Sequence, residues 1–225
     1  MSKSESPLAI VADVHGEAGA LSAALALYQK RRHIVLVGDY VNRGPNSAEV
    51  LELVAEVVRT GEATALMGNH DHAFLTYLRS GQLGPFARLG GLATLSSYIG
   101  GALNDPHEAL LATMPTSHVK LLESLCVFYE NDQVLVSHCG VSPRRPQSRS
   151  VEDLVLGSHP ELFGPEAGQL PKAVVCGHYV QRGGAPFVSE NFSCIDTGCG
   201  TIAGSPLAVL ELPERKFRYF ECNDR

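Results

Sequence analysis

The stretch IVLVGDYVNRGPNSAEVLELVAEVV, Ile34 to Val58, runs from an apolar β-rich segment through a turn bearing Asp39, Asn42 and Arg43 into an amphipathic helix. Ile34 to Gly38 has the branched, unbroken apolar character of a buried strand. Gly44-Pro45 then interrupts the chain. Asn46 stands at an N-cap position with Glu49 three residues on, and Val50, Leu51, Val54, Val57 and Val58 recur at the spacing of one buried helical face. Strand, polar turn and helix in that order predict an α/β protein.

Similar apolar runs at Leu8 to Ala12 and Ala63 to Met67 alternate with helical patterns, which predicts a parallel sheet built from βαβ units. From about Asp71 to Leu125 the pattern is mostly helical, punctuated by Gly81, Gly84-Pro85, Gly90-Gly91, Gly100-Gly101 and Pro115. We read it as a helical insertion at about 71–125 within a single domain of residues 1–225. Strand patterns return at Val127 to Tyr129, Val134 to Ser137, Val174 to Cys176, Phe192 to Ile195, Leu207 to Leu212 and Phe217 to Phe220. The second half therefore reads as a second sheet packed on the first, with hairpin-like spacing near the end.

Composition narrows the function classes. With 225 residues and 44% hydrophobic content the chain can bury a full core. A net charge of -6, from 24 acidic and 18 basic residues spread along the length, offers no basic stripe for nucleic acid. The polar Met1 to Ser6 lacks the charged head and apolar stretch of a signal peptide, and no apolar run approaches the ~18 residues of a membrane span. A cytoplasmic protein with neither nucleic acid nor membrane as partner is expected. Its six cysteines are dispersed, without a Cys-x-x-Cys pair, and read as reduced thiols. Cys139, Cys176 and Cys199 adjoin polar motifs, which raises a redox role, although buried filler is the commoner fate of such residues.

Five strand-like segments each end in oxygen or imidazole donors: Asp13-Val14-His15-Gly16, Gly38-Asp39, Gly68-Asn69-His70-Asp71, Ser137-His138 and Gly177-His178. Taken singly, each has a plain explanation as a helix cap, a turn or a core histidine. Taken together they predict one site, because ligands of α/β sheets bind where the carboxyl ends of strands converge. Asp13, His15, Asp39, Asn69, His138 and His178 would meet there. Carboxylate, carboxamide and imidazole without thiolate suit Mn, Fe or Zn, and a shared carboxylate can bridge two ions.

In order and spacing these residues resemble the phosphoprotein phosphatase family within the calcineurin-like metallophosphoesterases, whose motifs read Gly-Asp-x-His-Gly, Gly-Asp-x-Val-Asp-Arg-Gly and Gly-Asn-His-Glu, followed by two later histidines. Here they read Ala12-Asp13-Val14-His15-Gly16, Gly38-Asp39-Tyr40-Val41-Asn42-Arg43-Gly44 and Gly68-Asn69-His70-Asp71. Gly90 to Tyr98 and Ile195-Asp196-Thr197-Gly198 are similar to segments of the bacterial branch. The resemblance implies a four-layer α/β/β/α sandwich and two divalent ions, Mn first, with Fe, Zn, Ni or Co as other candidates. Asp13, His15 and the bridging Asp39 would hold one ion; Asp39, Asn69, His138 and His178 would hold the other. It further implies in-line attack on phosphorus by a hydroxide that the ions share, with Arg43 clamping phosphate oxygens and His70 protonating the leaving oxygen.

Three positions depart from the family pattern. Asn42 replaces the usual Asp, so an amide that can accept a hydrogen bond stands where a carboxylate would stabilise the imidazolium. Asp71, counted with His70, Arg43 and Asn42 as a catalytic residue, replaces Glu, and Leu154 to His159 lacks an arginine that many relatives carry. Asn42 with Asp71 resembles the diadenosine tetraphosphatase-like branch, whose leaving group is acidic and depends less on protonation. The first reading is hydrolysis of phosphoserine or phosphothreonine in proteins, with small phosphomonoesters also accepted. The alternatives are a dinucleoside polyphosphate hydrolase and, in another class, a metal-holding interaction module without turnover.

Overall fold

A computed structural model describes residues 7–101 and 105–222. The stretch Met1–Ser6, discussed above, lies outside them. Ten strands occur among the described residues: β1 (Leu8–Val11), β2 (His33–Leu36), β3 (Ala63–Ala65), β4 (Phe128–Glu130), β5 (Val134–Ser137), β6 (Ala173–Cys176), β7 (Phe187–Val188), β8 (Phe192–Cys194), β9 (Leu207–Leu212) and β10 (Lys216–Phe220). They form two five-stranded sheets, ordered β10-β9-β1-β2-β3 and β4-β5-β6-β8-β7.

β1, β2 and β3 pair in parallel, linked by α1 (Ala18–Tyr28) and α2 (Ser47–Arg59), as the apolar runs predict. The late strands divide differently from the expectation. β9 and β10 form a hairpin that pairs antiparallel with β1, so they extend the first sheet and not the second. The reason is burial: every residue of β1 is buried, and such a strand needs covered neighbours on both edges. Asn46 stands at the N-cap of α2, but only its backbone carbonyl is used, by Val50 N; the side chain makes no capping bond.

Alternation along the strands builds the layers. Val134 and Val136 of β5 and Val175 of β6 enter the core that holds β1 and β2, while Leu135, Val174 and Cys176 enter a second cluster with Leu154 and Leu162. The sheets thus share one core. Outside the first lie α1 and α2; outside the second lie a short helix at Val151–Leu154 and 3-10 turns at Pro160–Phe163 and Pro165–Gln169. This is an α/β/β/α arrangement. Between β3 and β4 come α3 (Asn69–Ser80), α4 (Leu83–Arg88), α5 (Gly91–Ile99), α6 (Pro106–Thr113) and α7 (Thr116–Ser124). Phe86 of α4 stacks on Phe74 and Tyr77 of α3, each with ring centroids 5.1 Å apart. No helix among the described residues is long and apolar enough to cross a membrane.

Leu36 is fully buried in β2, the strand that carries the turn with Asp39 and Arg43. Leu36→Ala is expected to cost about 2–5 kcal/mol through lost apolar burial and the cavity left behind. Urea unfolding with an unchanged slope checks this; a cost within about 0.5 kcal/mol of zero, typical of surface positions, would contradict it.

Candidate metal centre

The carboxyl ends of five strands deliver the donors. Asp13 and His15 follow β1, Asp39 follows β2, Asn69 and His70 open α3 after β3, His138 follows β5, and His178 follows β6. Asp39 sits among them. Its Oδ2 lies 3.5 Å from His15 Nε2 and 3.8 Å from His70 Nε2, and its Oδ1 lies 3.5 Å from His138 Nε2 while accepting His70 N at 2.9 Å. Asn69 Oδ1 is 3.0 Å from both His138 Nε2 and His178 Nδ1, which are themselves 3.2 Å apart. Asp13 Oδ2 accepts His178 N at 3.0 Å, and ligand atoms of Asp13, Asp39 and His138 all lie within 4.8 Å of one another. All six residues named as metal donors are therefore brought together.

Backbone strain concentrates at the same place. Seven non-glycine residues have positive φ among the described residues, and five of them are His15, Asp39, Asn42, Arg43 and His178. Such conformations persist only where surrounding contacts over-determine them. Two glycines make room for the carboxylates: a Cβ on Gly177 would lie 1.8 Å from Asp13 Oδ1, and one on Gly68 would lie 2.1 Å from Asp39 Oδ1.

Proton accounting shows what the cluster can hold. His15 Nδ1 faces Val41 O at 3.0 Å and His138 Nδ1 faces Val37 O at 3.1 Å. A carbonyl oxygen only accepts, so each Nδ1 must carry a proton and each neutral ring leaves Nε2 as a bare lone pair. His138 Nε2 and Asn69 Oδ1 then face each other at 3.0 Å as two acceptors with no proton between them. Asp13 Oδ1 is buried and has no hydrogen-bond partner. A cation among these lone pairs would resolve both anomalies, so the residues fit the divalent metal that the donor set suggests.

The electrostatics agree. Burial, joined by the charges of Asp196 and Asp39, pushes the Asp13 carboxyl well above the usual range. Burial raises Asp39 to about 7, against opposing pulls from His70 N and Arg43. The imidazoles shift the other way: burial lowers His138 to about 4 and, with the neighbouring charge of His138, His178 to about 3. The rings are neutral and ready to ligate at neutral pH.

Four further residues were named for chemistry. Arg43 reaches His15 Nε2 (3.0 Å), His70 Nε2 (3.1 Å) and Thr201 Oγ1 (2.6 Å), so its guanidinium spans the cluster. Asn42 Nδ2 lies 2.9 Å from His70 Nδ1, while its Oδ1 accepts from Thr94 Oγ1 at 2.8 Å. The amide nitrogen, not the oxygen, faces the ring. Burial and the Arg43 charge lower His70 to about 3, and its amide neighbour supplies no negative charge to oppose them. Asp71 makes backbone contacts. Its carboxylate accepts from Asp39 N (2.7 Å), Gly68 N (3.0 Å) and Tyr40 N (3.0 Å), bracketing the Asp39 turn to the start of α3.

Sequence reasoning gave no role to Thr94, Thr201 or Asp196, although Thr94 and Asp196 lie in segments that carried the family resemblance. The cysteines are free thiols. Burial raises the Cys139 and Cys176 thiols, and both side chains pack in the interior next to the site. His159 ends the segment that lacks the arginine; it is buried, with Nε2 on Asp153 O at 2.8 Å and its backbone N–H donating to Tyr179 Oη.

Known proteins resemble this chain. The sequence profile of the calcineurin-like phosphoesterase family, Metallophos, matches residues 6–182. A Bacillus velezensis protein named bis(5'-nucleosyl)-tetraphosphatase PrpE [asymmetrical] is 27% identical over 92% of this chain and 89% of its own. A Nitrosospira multiformis protein named bis(5'-nucleosyl)-tetraphosphatase, symmetrical, is 25% identical over 83% and 84%. A crystal structure provisionally named a diadenosine tetraphosphatase superposes with a TM-score of 0.70 at 22% identity, covering 100% of this chain and 97% of the other. With the profile spanning most of its length and the donors gathered at the strand ends, the chain belongs to the calcineurin-like phosphoesterases, a family of divalent-metal hydrolases.

Proposed function

We propose that the chain hydrolyses dinucleoside tetraphosphates, cleaving a phosphoanhydride bond with two divalent cations, Mn first among them. The observation that carries this is the uncharged Asn42 beside a neutral His70. A serine or threonine alkoxide is a poor leaving group and needs a proton from a strong, charged-partner acid. A nucleotide leaving group is acidic and needs little. Relatives named as tetraphosphatases, of both the asymmetrical and symmetrical kinds, point the same way. The phosphoprotein reading gives way to this one, and a silent interaction module fits poorly with an intact donor set.

In this reading Asp13, His15 and Asp39 hold one cation, and Asp39, Asn69, His138 and His178 hold the other. When bound, divalent cations supply charge that polarises phosphoryl oxygens and acidifies water near neutral pH. Arg43 takes two phosphoryl oxygens with its planar fork, steadied by Thr201. His70, held by Asn42, lies across Arg43 from His15 and aligns the departing phosphate through its ring nitrogen. Asp71 keeps Asp39 and His70 in register.

With Mn2+ present, kcat/KM on diadenosine tetraphosphate should exceed that on a phosphoserine peptide by about 100-fold or more, roughly 2.7 kcal/mol of barrier. The reverse ranking would return the protein to the phosphoprotein reading.

Cation binding should depend on pH. Asp39 titrates near 7 in the cation-free protein and must lose its proton to ligate, whereas His138 and His178, lowered to about 4 and 3, are already neutral. Mn2+ affinity therefore rises with pH through about 7, and the Asp13 carboxyl, also raised by burial, adds to that rise. Calorimetry in buffers of different ionisation enthalpy should show more proton release at about pH 6 than at about pH 8. Equal release at both would contradict the assignment.

A further inference from the structure

Asp196 follows β8 by two residues. β6 and β8 run in parallel with Cys176 opposite Cys194, so His178 and Asp196 leave neighbouring strands at the same level. Ile195 N donates to Cys176 O, and Gln181 N donates to Asp196 O, both at 2.8 Å, which ties the Asp196 turn to the loop carrying His178. The side chain is buried, with 1% exposure for the residue. Its Oδ1 accepts Gly198 N at 2.8 Å, and its Oδ2 has no partner. Among the described residues the one other buried carboxylate oxygen left without a partner is Asp13 Oδ1. The two carboxylates are close enough that Asp196 exerts the strongest single charge effect on Asp13.

The donors are unevenly shared between the two cation positions. Beside the common Asp39, one position has Asn69, His138 and His178, whereas the other has only Asp13 and His15. A buried carboxylate oxygen that no hydrogen bond satisfies is costly unless something positive or protic faces it. Among the described residues, no group of three ligand atoms within 4.8 Å of one another includes Asp196, whereas Asp13 and His15 each join such a group with Asp39. A water between Asp196 and the ion suits this placement better than a direct bond.

We propose that Asp196 completes the cation position formed by Asp13, His15 and Asp39, its free Oδ2 accepting a hydrogen bond from a water in that cation's shell. It is a positioning residue. Its charge raises affinity at the donor-poor position, and its orientation fixes one water there. The inference rests on the two-cation reading above.

The test uses the full chain, stripped with chelator and titrated with Mn2+ alone, followed by calorimetry and by electron paramagnetic resonance of the coupled ion pair. Wild type should take two ions. Asp196→Asn keeps an oxygen for Gly198 N, and is expected to bind one ion as wild type does and the other about 10- to 100-fold more weakly. Its coupled-pair signal should be lost at Mn2+ concentrations that saturate wild type, with the melting midpoint of the ion-free protein not lowered. Asp196→Glu, retaining the charge, should recover part of the signal. Wild-type isotherms for Asp196→Asn would overturn the proposal. So would equal weakening of both ions together with a lowered ion-free midpoint, which would assign Asp196 to the shape of its turn. Failure of wild type itself to take up Mn2+ would overturn the two-cation reading instead, so the two failures are distinguishable.

Discussion

Replacing Asp39 by Asn is expected to lower kcat/KM by about 1000-fold, roughly 4 kcal/mol of barrier, while leaving the ion-free protein at least as stable as wild type near neutral pH. Both halves follow from position. Asp39 faces His15 and His70 with one oxygen and His138 with the other, so it is the carboxylate that the proposed pair of cations would share. An amide keeps the shape but not the charge. It would also aim N–H groups at a cluster that needs lone pairs. The stability half comes from the raised carboxyl, near 7 in the folded protein against about 3.9 when unfolded. A carboxyl raised on folding holds its proton better in the native state, so stability is lost as pH climbs from about 4 to about 7. Asn removes that penalty. Function here is bought with stability, a recurrent trade at sites that concentrate like charge. Steady-state assays with Mn2+, paired with thermal melts under chelator, check both halves. A variant within about tenfold of wild-type activity would remove Asp39 from its shared role.

Asn42→Asp should change what the enzyme prefers. Asn42 is fully buried between Thr94 and His70, so a carboxylate there would sit against His70 Nδ1 and favour the imidazolium. The His70 pKa, lowered to about 3 in the wild type, should rise. General acid help is worth about 10²- to 10⁴-fold on poor leaving groups, so a gain of about tenfold on a phosphoserine peptide is expected, with less change on diadenosine tetraphosphate. The sign of the pH effect follows. A raised imidazole is protonated below its new pKa, so the gain is present at lower pH and fades as pH rises through that value. Profiles of kcat/KM against pH on both substrates would show it. An unchanged ratio at every pH would mean that His70 protonation does not limit ester cleavage, and the argument for an anhydride substrate from Asn42 would lose its basis.

What could be read from the sequence, and what could not, divides along physical lines. Strands β1, β2 and β3 announce themselves because buried parallel strands are continuous apolar runs flanked by turn residues. The donors were visible because each stands within a few residues of such a run, where α/β topology converges. The pairing of β9 with β1 was not visible. It joins Leu212 to Leu8 across nearly the whole chain, and nothing local in either segment encodes the choice of sheet. Backbone partners leave no mark in side-chain patterns, which hides Val37 O and Val41 O, the carbonyls that set the histidine tautomers. The direction of the Asp71 carboxylate was hidden for a related reason. Its place in the motif suggested chemistry, but which way a carboxylate points depends on the strained Asp39 turn that it brackets. Thr94, 52 residues from Asn42, became meaningful only when α5 was placed over the site.

In the proposed function, lone pairs from Asp13, His15, Asp39, Asn69, His138 and His178 turn toward two cations. Crystals soaked in Mn2+ and measured at the manganese absorption edge test it most directly. Two anomalous peaks about 3.5–4 Å apart, with Asp39 between them, are the predicted result. No peak in this cluster, or a single peak without Asp39 as ligand, would contradict it.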